Sequence, residues 1–170
     1  MSHAEAVAAI LTQAGVTFTP TYIGMQTETP TGQKPWQHDL FSVTFAKAKV
    51  SFTAPYKMGL GNRRPKLGSE AKVKRLQAEL RDNPRNAYLT AALDAVLRPH
   101  CPVESVLHSL LLDSQALHQS FKHWCDDFGY DDDTISALNT YQACCKIGED
   151  LRKLFDQPTL QALQTALEDY

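Results

Sequence analysis

The sequence lacks the long apolar runs and regularly spaced cysteines that mark membrane proteins and secreted disulfide-rich proteins. No apolar run approaches the roughly 18 residues that a membrane-spanning helix requires. The first residues contain no basic segment leading into an apolar one. The four cysteines are unevenly spaced, and Cys144 and Cys145 are adjacent. We therefore expect a cytoplasmic protein whose thiols are reduced and mostly buried.

Motifs that bind metals or nucleotides, or that carry out catalysis, are also missing. No two ligands stand at the C-x-x-C or H-x-x-x-H spacing of zinc sites. The acidic run 131–133 does not continue as an EF-hand, because Ser136 and Gln142 stand where that loop needs glycine and glutamate. The chain has neither a P-loop nor a G-x-S-x-G elbow. The sequence thus predicts no cofactor, no metal and no catalytic residues. An enzyme remains a further functional hypothesis, because catalytic residues that are distant in the sequence can come together in the folded protein.

Charge is divided unequally along the chain, although the net charge is only −2. Residues 1–100 contain 13 basic and 7 acidic side chains, whereas residues 101–170 contain 4 basic and 12 acidic ones. The first part therefore has a net charge of +6 and the second a net charge of −8. Two oppositely charged surfaces are expected, and each suits a different kind of charged partner.

Hydrophobic periodicity predicts an α+β fold with a small three-stranded antiparallel sheet packed against several helices. Ser2 and Glu5 have the spacing of a capping box and predict a helix over about 3–13. Apolar residues then alternate, as in half-buried strands. The strands are expected at 16–22, 41–45 and 50–54, with a loop over 24–35 and a short connection over 46–49.

Helical spacing dominates the remainder of the sequence. Residues 69–98 predict a helical hairpin that begins at Ser69 and turns at Asn83-Pro84, with Pro84 opening the second helix. Residues 102–170 predict a helical C-terminal part, in which helices start at Ser120, Asp133 and Pro158 and one helix ends at Gly129. We expect a single domain over 1–170 with a core that includes Phe18, Phe41, Phe45, Phe52, Leu107, Leu110, Trp124, Tyr141, Leu151 and Phe155.

Aromatic and acidic residues are interleaved over 124–133, which makes this segment a candidate partner-binding surface. Large aromatic side chains often anchor interfaces. The competing interpretation places Trp124 and Phe128 in the core. Asp133 is assigned to helix capping rather than to ion binding. The candidate partner-binding residues are Asp126, Asp127, Tyr130, Asp131 and Asp132.

A basic region in the first part of the chain is the alternative binding surface. The glycine-rich stretch 59–64 follows a predicted strand and contains two arginines. Backbone N–H groups and guanidinium groups in such a loop can bind a phosphate. It lacks the P-loop pattern, so a solvated loop is the simpler interpretation. Clustered basic side chains are what nucleic-acid binding requires. The candidate nucleic-acid-binding residues are Lys57, Arg63, Arg64, Lys66, Lys72, Lys74 and Arg75.

Three stretches of the sequence resemble a known family. They are Tyr56-Lys-Met-Gly-Leu-Gly61, the segment 102–113, and the segment 120–155 with its signature Ser120-Phe-Lys-His-Trp-Cys-Asp-Asp-Phe-Gly-Tyr-Asp-Asp-Asp-Thr134. This order of elements is similar to that of small uncharacterised proteins encoded by tailed phages and prophages. The hairpin 69–98 departs from the family pattern as an insertion. Thr134 stands where a serine is commoner, which keeps the capping chemistry.

The resemblance implies a phage origin and no catalytic residues. It suggests a non-enzymatic counter-defence protein, similar to an anti-CRISPR, that sterically inhibits a bacterial defence nuclease or surveillance complex. The acidic residues would then face a basic nucleic-acid channel, since complementary potentials steer association. The alternative is an accessory nucleic-acid-binding protein that uses the basic residues 57–75. The expected partners are a bacterial defence protein, a ribonucleoprotein complex or nucleic acid, in the cytoplasm of the host.

Overall fold

The computed structural model describes residues 1–28, 36–45, 48–54, 70–97 and 101–170. Within these ranges the chain forms seven α-helices, one short 3₁₀ helix over Gln115–His118, and β-strands, which confirms the α+β class. The strands are β1 (Phe18–Glu28), β2 (Trp36–Phe45) and β3 (Ala48–Ala54). The helices are α1 (His3–Ala14), α2 (Glu70–Asp82), α3 (Ala87–Leu97), α4 (Val103–Ser114), α5 (Phe121–Phe128), α6 (Ile135–Leu154) and α7 (Gln157–Ala166).

Helix α1 begins at the predicted capping box. The Glu5 backbone N–H donates to Ser2 Oγ over 3.2 Å, and the Ser2 N–H donates to Glu5 Oε2 over 2.8 Å. These hydrogen bonds stabilise the ionised carboxylate and lower the pKa of Glu5. Gly15 ends the helix in the left-handed conformation, with φ 69°. The predicted start and end of this helix are therefore confirmed.

The strands pair in the order β1-β2-β3, and both pairings are antiparallel. Tyr22 lies opposite Phe41, and Phe41 lies opposite Phe52. These three aromatic residues form a row across the sheet, and all are at most 2% exposed. The row gives the sheet a continuous apolar face for the helices to cover.

Strand β1 is longer than the sequence suggested. It continues through Gly24 to Glu28, so the loop predicted to begin at Gly24 is wrong for residues 24–28. The pairing register shifts between Tyr22 and Gly24, which leaves Ile23 as the extra residue of a bulge. Gly24 has φ 117°, a conformation that favours glycine. The predicted 46–49 connection is also too long, because Ala48 already pairs with Phe45; residues 46–47 lie outside the described part.

Helices α1, α4, α6 and α7 share one apolar core with the sheet, and α4 packs directly on β1 and β3. Eight of the ten predicted core side chains are at most 5% exposed, which confirms their burial. Tyr141 is only half buried, and the side chain of Phe45 lies outside the described part. Helix α4 provides the largest contribution from one helix, with Val106, Leu107 and Leu110 each fully buried.

Helices α2 and α3 form the predicted hairpin and pack mainly against each other. The turn differs from the prediction: α3 begins at Ala87, and Asn86 rather than Asn83 is its cap. The Asn86 side-chain oxygen accepts from the N–H groups of Tyr88 and Leu89 over 3.0 and 3.2 Å. Pro84 lies in the preceding turn and does not open the helix. The predicted cap at Ser69 lies outside the described residues.

The last helix has a cap that the sequence analysis did not identify. Asp156 Oδ1 accepts from the Thr159 N–H over 2.8 Å, and this contact with Thr159 lowers the pKa of Asp156. Helix α7 thus begins at Gln157, and Pro158 occupies its second position rather than opening it. Among the described helices, none combines the length and the apolar character that crossing a membrane demands.

Candidate partner-binding surface

Helix α5 carries the first two acidic residues of the candidate surface. Ser120 caps it as predicted, because its Oγ accepts from the His123 N–H over 3.2 Å. Gly129 ends it with φ 73°, which confirms the predicted stop. Trp124 and Cys125 face the interior, whereas Asp126 and Asp127 are exposed. The amphipathic pattern of this short helix therefore presents its carboxylates to solvent.

The turn after α5 is held by backbone and side-chain hydrogen bonds. The Tyr130 N–H donates to the Cys125 carbonyl over 2.9 Å, and the Tyr130 ring stacks on Trp124 with centroids 4.8 Å apart. Asp131 Oδ1 accepts from the Asp133 N–H over 3.0 Å. The Thr134 hydroxyl donates to the Asp131 carbonyl over 2.8 Å. These contacts hold three consecutive exposed aspartates in one arrangement at the start of α6.

Thr134, and not Asp133, caps helix α6. The Ala137 N–H donates to Thr134 Oγ1 over 3.2 Å. The prediction that Asp133 would be the cap is therefore wrong, because the helix starts one residue later and places the Thr134 hydroxyl at the free N–H groups.

We expect Thr134→Ala to lower the free energy of unfolding by about 1 kcal/mol, as the loss of a helix cap usually does. Asp133→Ala should change it by less than ~0.5 kcal/mol, because its exposed carboxylate accepts no hydrogen bond from a described residue. Chemical denaturation of the two variants measures the difference. Equal losses, or a larger loss for Asp133→Ala, would contradict the assignment of the cap.

Asp126, Asp127, Asp131, Asp132 and Asp133 are all exposed, and we call them the acidic surface. The carboxylate oxygens of Asp131, Asp132 and Asp133 lie within 4.8 Å of one another. The pKa of the neighbouring Cys125 thiol is raised, first by burial and then by the negative charges of Asp132, Asp126 and Asp131. Asp126 on α5 and Asp131 and Asp132 in the turn therefore all lie near enough to Cys125 for their charges to act on its thiol.

Two of these carboxylates also contact the protein itself. Asp127 Oδ2 accepts from Gln119 Nε2 over 2.6 Å and lies 3.3 Å from His123 Nε2. Asp131 holds the turn, as described above. In the described part of the chain, no lysine or arginine pairs with Asp126, Asp132 or Asp133. These three side chains are therefore the ones whose charge can be changed with the least effect on the fold.

The aromatic residues near the acidic surface belong to a second, smaller core. Trp124 is 1% exposed and contacts the rings of Phe128, Tyr130 and Tyr141. Core packing of Trp124 is thus confirmed. Tyr130, a candidate binding residue, is half buried and supports the turn by stacking on Trp124. Tyr141 adds a further link, because its hydroxyl donates to the Gln119 carbonyl over 2.6 Å.

Two apolar residues next to the acidic surface were missed by the sequence analysis. Ile135 is 65% exposed and Leu138 is 39% exposed, and they follow the aspartates directly on the first turn of α6. A spacing of three residues places them on the same side of the helix. Their exposure could have been predicted from the sequence, because neither residue lies on the apolar face of α6 that Ala137, Cys144 and Leu151 form.

The basic candidate residues are only partly described. Lys57, Arg63, Arg64 and Lys66 lie outside the described residues. Lys72, Lys74 and Arg75 are exposed on α2. Lys74 pairs with Glu70 over 3.1 Å, and α2 contains three acidic residues beside its four basic ones. The positive charge of this helix is therefore partly compensated.

The four cysteines are free thiols. Burial raises the pKa of Cys101 to about 11. Burial is also the main cause of the raised pKa of Cys144, with the charge of Asp113 adding to it, and of the raised pKa of Cys145. A catalytic cysteine needs the opposite shift, toward the thiolate. The thiols thus have the properties of structural core residues.

Comparison with protein-family models, with curated proteins and with solved structures found no match to this chain.

Proposed function

We propose that the chain is a counter-defence protein of the kind that tailed phages encode, acting in the cytoplasm of a bacterial host. Like an anti-CRISPR, it sterically inhibits a defence nuclease or a surveillance complex by occupying a basic nucleic-acid channel. The observation that carries this proposal is the acidic surface, whose carboxylates are exposed and whose turn is fixed by hydrogen bonds. The resemblance of the segments 102–113 and 120–155 to phage-encoded proteins supports the origin.

The arrangement of the acidic surface suits a basic protein channel for two reasons. The turn that carries three of the aspartates is already held by hydrogen bonds, so its backbone loses little conformational entropy on binding, and the field of the carboxylates speeds association with a positive partner. Ile135 and Leu138 add exposed apolar contact area beside the charges. A protein channel offers apolar surface for these residues, whereas a nucleic acid would be repelled by the carboxylates.

Charge reversal tests this proposal. The triple variant Asp126→Lys, Asp132→Lys, Asp133→Lys changes the three carboxylates that have no structural hydrogen bond in the described part, and leaves Asp127, Asp131 and Thr134 in place. Its matched control is Glu79→Lys, Asp94→Lys, Glu149→Lys, which reverses three exposed acidic residues on α2, α3 and α6. Both variants change the net charge by the same amount, so only the position of the charge differs.

The measurement is inhibition of target-DNA binding by a panel of purified RNA-guided nucleases and multi-subunit surveillance complexes. We expect the wild-type chain to inhibit at least one of them, less strongly as salt rises. The acidic-surface variant should inhibit at least roughly tenfold more weakly, whereas the control variant should keep its potency. Thermal melting should be similar for all three proteins, because exposed charges contribute little stability. Full potency of the acidic-surface variant, or no inhibition by the wild-type chain, would reject the proposal.

The alternative, nucleic-acid binding through the basic residues, is tested with the variant Lys72→Ala, Lys74→Ala, Arg75→Ala. Under our proposal this variant inhibits as well as the wild-type chain does. If the wild-type chain binds DNA or RNA directly and this variant loses that binding together with part of its salt dependence, the alternative is favoured.

A further inference from the structure

Helix α3 is apolar on nearly all sides, although none of its eleven residues is buried. Nine of them are apolar, and Asp94 is the single charged residue of the helix. The helix packs mainly against α2. Tyr88 is 89% exposed and Leu97 is 46% exposed. Because a helix that is hydrophobic all round is normally buried, α3 has the composition of a surface that another molecule covers.

One side of α3 faces α2. Leu89, Leu93 and Val96 are half buried and recur at spacings of four and three residues, as residues on one side of a helix do. Leu93 also lines a hollow between the two helices, together with Leu80 and Pro84. The contact with α2 therefore uses this side of α3 and leaves the opposite side exposed.

The opposite side consists of five exposed residues, Ala87, Tyr88, Ala91, Asp94 and Ala95, which we call the α3 face. Successive residues are about 100° apart around a helix, so Ala91 lies at the centre of this face, with Ala87 and Ala95 one turn before and after it. Tyr88 lies on one edge, three residues before Ala91, and Asp94 lies on the other edge, three residues after it. Within the described part of the chain, neither the Tyr88 hydroxyl nor the Asp94 carboxylate has a hydrogen-bond partner.

The arrangement of these residues is self-complementary. A twofold axis through Ala91 places a second α3 antiparallel to the first and exchanges positions equally far before and after Ala91. Ala87 then faces Ala95 of the second copy, and Tyr88 faces Asp94 of the second copy, because each exchanged pair also shares an edge. The small alanine side chains allow the two helices to approach closely.

The same symmetry provides a partner for the only charge on the α3 face. In the antiparallel pair the Tyr88 hydroxyl can donate to the Asp94 carboxylate of the other copy, and the contact occurs twice. This match of donor to acceptor, and of alanine to alanine, assigns the face to a second copy of the chain rather than to an unrelated protein.

We propose that the α3 face pairs with the same face of a second copy of this chain in an antiparallel dimer. The helix is about 16 Å long at ~1.5 Å per residue. One such pair buries less than the roughly 800 Å² per partner of a standard interface, so the dimer is weak and reversible. The α3 face shares no residue with the acidic surface, and the dimer does not depend on the proposed function.

Sedimentation equilibrium of the full chain, from about 10 to about 500 µM, measures this association. We expect the average mass to rise from that of the monomer toward twice that value, with a Kd on the order of 100 µM. Ala91→Glu should raise the Kd at least roughly tenfold, because it places two carboxylates against each other at the twofold axis. The matched control Ala8→Glu should leave the Kd unchanged, since it adds the same side chain at an exposed position of α1, also three residues from an acidic residue.

Three outcomes of this measurement overturn the proposal. They are a wild-type chain that stays monomeric, an Ala91→Glu variant that associates as well as the wild-type chain does, and equal weakening by Ala8→Glu. The first outcome would leave the α3 face to a different partner. Circular dichroism of each variant establishes that it is folded.

Cysteine crosslinking tests the antiparallel register independently. Ala91→Cys should form a disulfide with its own copy under mild oxidation, because the two Cβ atoms meet at the twofold axis. Ala87→Cys and Ala95→Cys should each crosslink weakly alone and strongly when mixed, since each faces the other position. Ala8→Cys and the wild-type chain give the background from unspecific contacts and from the native thiols. Crosslinking of Ala87→Cys alone to the same extent as in the mixture, or of Ala91→Cys only at the background level, overturns the antiparallel pairing.

Discussion

Replacing Trp124 with alanine is expected to lower the free energy of unfolding by about 3–5 kcal/mol. The side chain is 1% exposed, and its ring contacts Phe128, Tyr130 and Tyr141 at centroid distances of 5.6, 4.8 and 5.5 Å. Its removal leaves a cavity at the centre of the small core, and cavity formation adds to the loss of buried apolar area. Urea denaturation followed by circular dichroism measures the change.

The same substitution should also affect the acidic surface. Tyr130 loses the ring on which it stacks, and the turn that positions the aspartates loses this support. Tyr88→Ala is a suitable control, because this aromatic side chain is 89% exposed and its removal should change stability by less than ~0.5 kcal/mol. A loss below about 1 kcal/mol for Trp124→Ala, together with a complete loss of partner binding, would show that Trp124 is a binding residue and that its assignment to the core is wrong.

Local signals explain which parts of the fold were predictable. Capping and glycine signals depend on a few adjacent residues, so the start of α1 at Ser2 and the end of α5 at Gly129 could be read directly from the sequence. The alternation in 41–45 likewise identified a strand, in which Phe41 and Val43 are fully buried. These features do not require knowledge of distant contacts.

The errors arose where several neighbouring residues offered the same chemistry. Asn83 and Asn86 can both cap α3, and Asp133 and Thr134 can both cap α6. Only the packing of each helix decides which residue reaches the free N–H groups. The extension of β1 beyond Gly24 depends on a bulge at Ile23, and a bulge is defined by the partner strand.

The sequence predicts which acidic residues form the acidic surface, but it does not predict how their side chains are arranged. The sequence shows five aspartates within eight positions, 126–133. It does not show that Asp131 accepts a hydrogen bond from the following turn, or that Asp127 contacts Gln119.

Gly148 lies where α6 closely approaches the 3₁₀ helix. A Cβ at this position would lie 2.9 Å from both Cβ and Cδ2 of Leu117, and 3.2 Å from the Ser114 carbonyl oxygen. Cδ2 can rotate away, but the Leu117 Cβ and the Ser114 carbonyl are fixed by the backbone. Any side chain at position 148 therefore has to separate the two elements, which lie at the junction of the two cores.

We expect Gly148→Val to lower the free energy of unfolding by about 3 kcal/mol, the upper end of the usual cost of overpacking. Gly148→Ala should cost less, because alanine recovers up to about 1 kcal/mol of helix propensity relative to glycine. Gln142→Val is the matched control, since it places the same side chain at an exposed position of α6, where only the propensity difference of about 0.5 kcal/mol applies. Chemical denaturation of the three variants gives the comparison. If Gly148→Ala is more stable than the wild-type chain, propensity outweighs packing and the close contact between α6 and the 3₁₀ helix is not required for the fold.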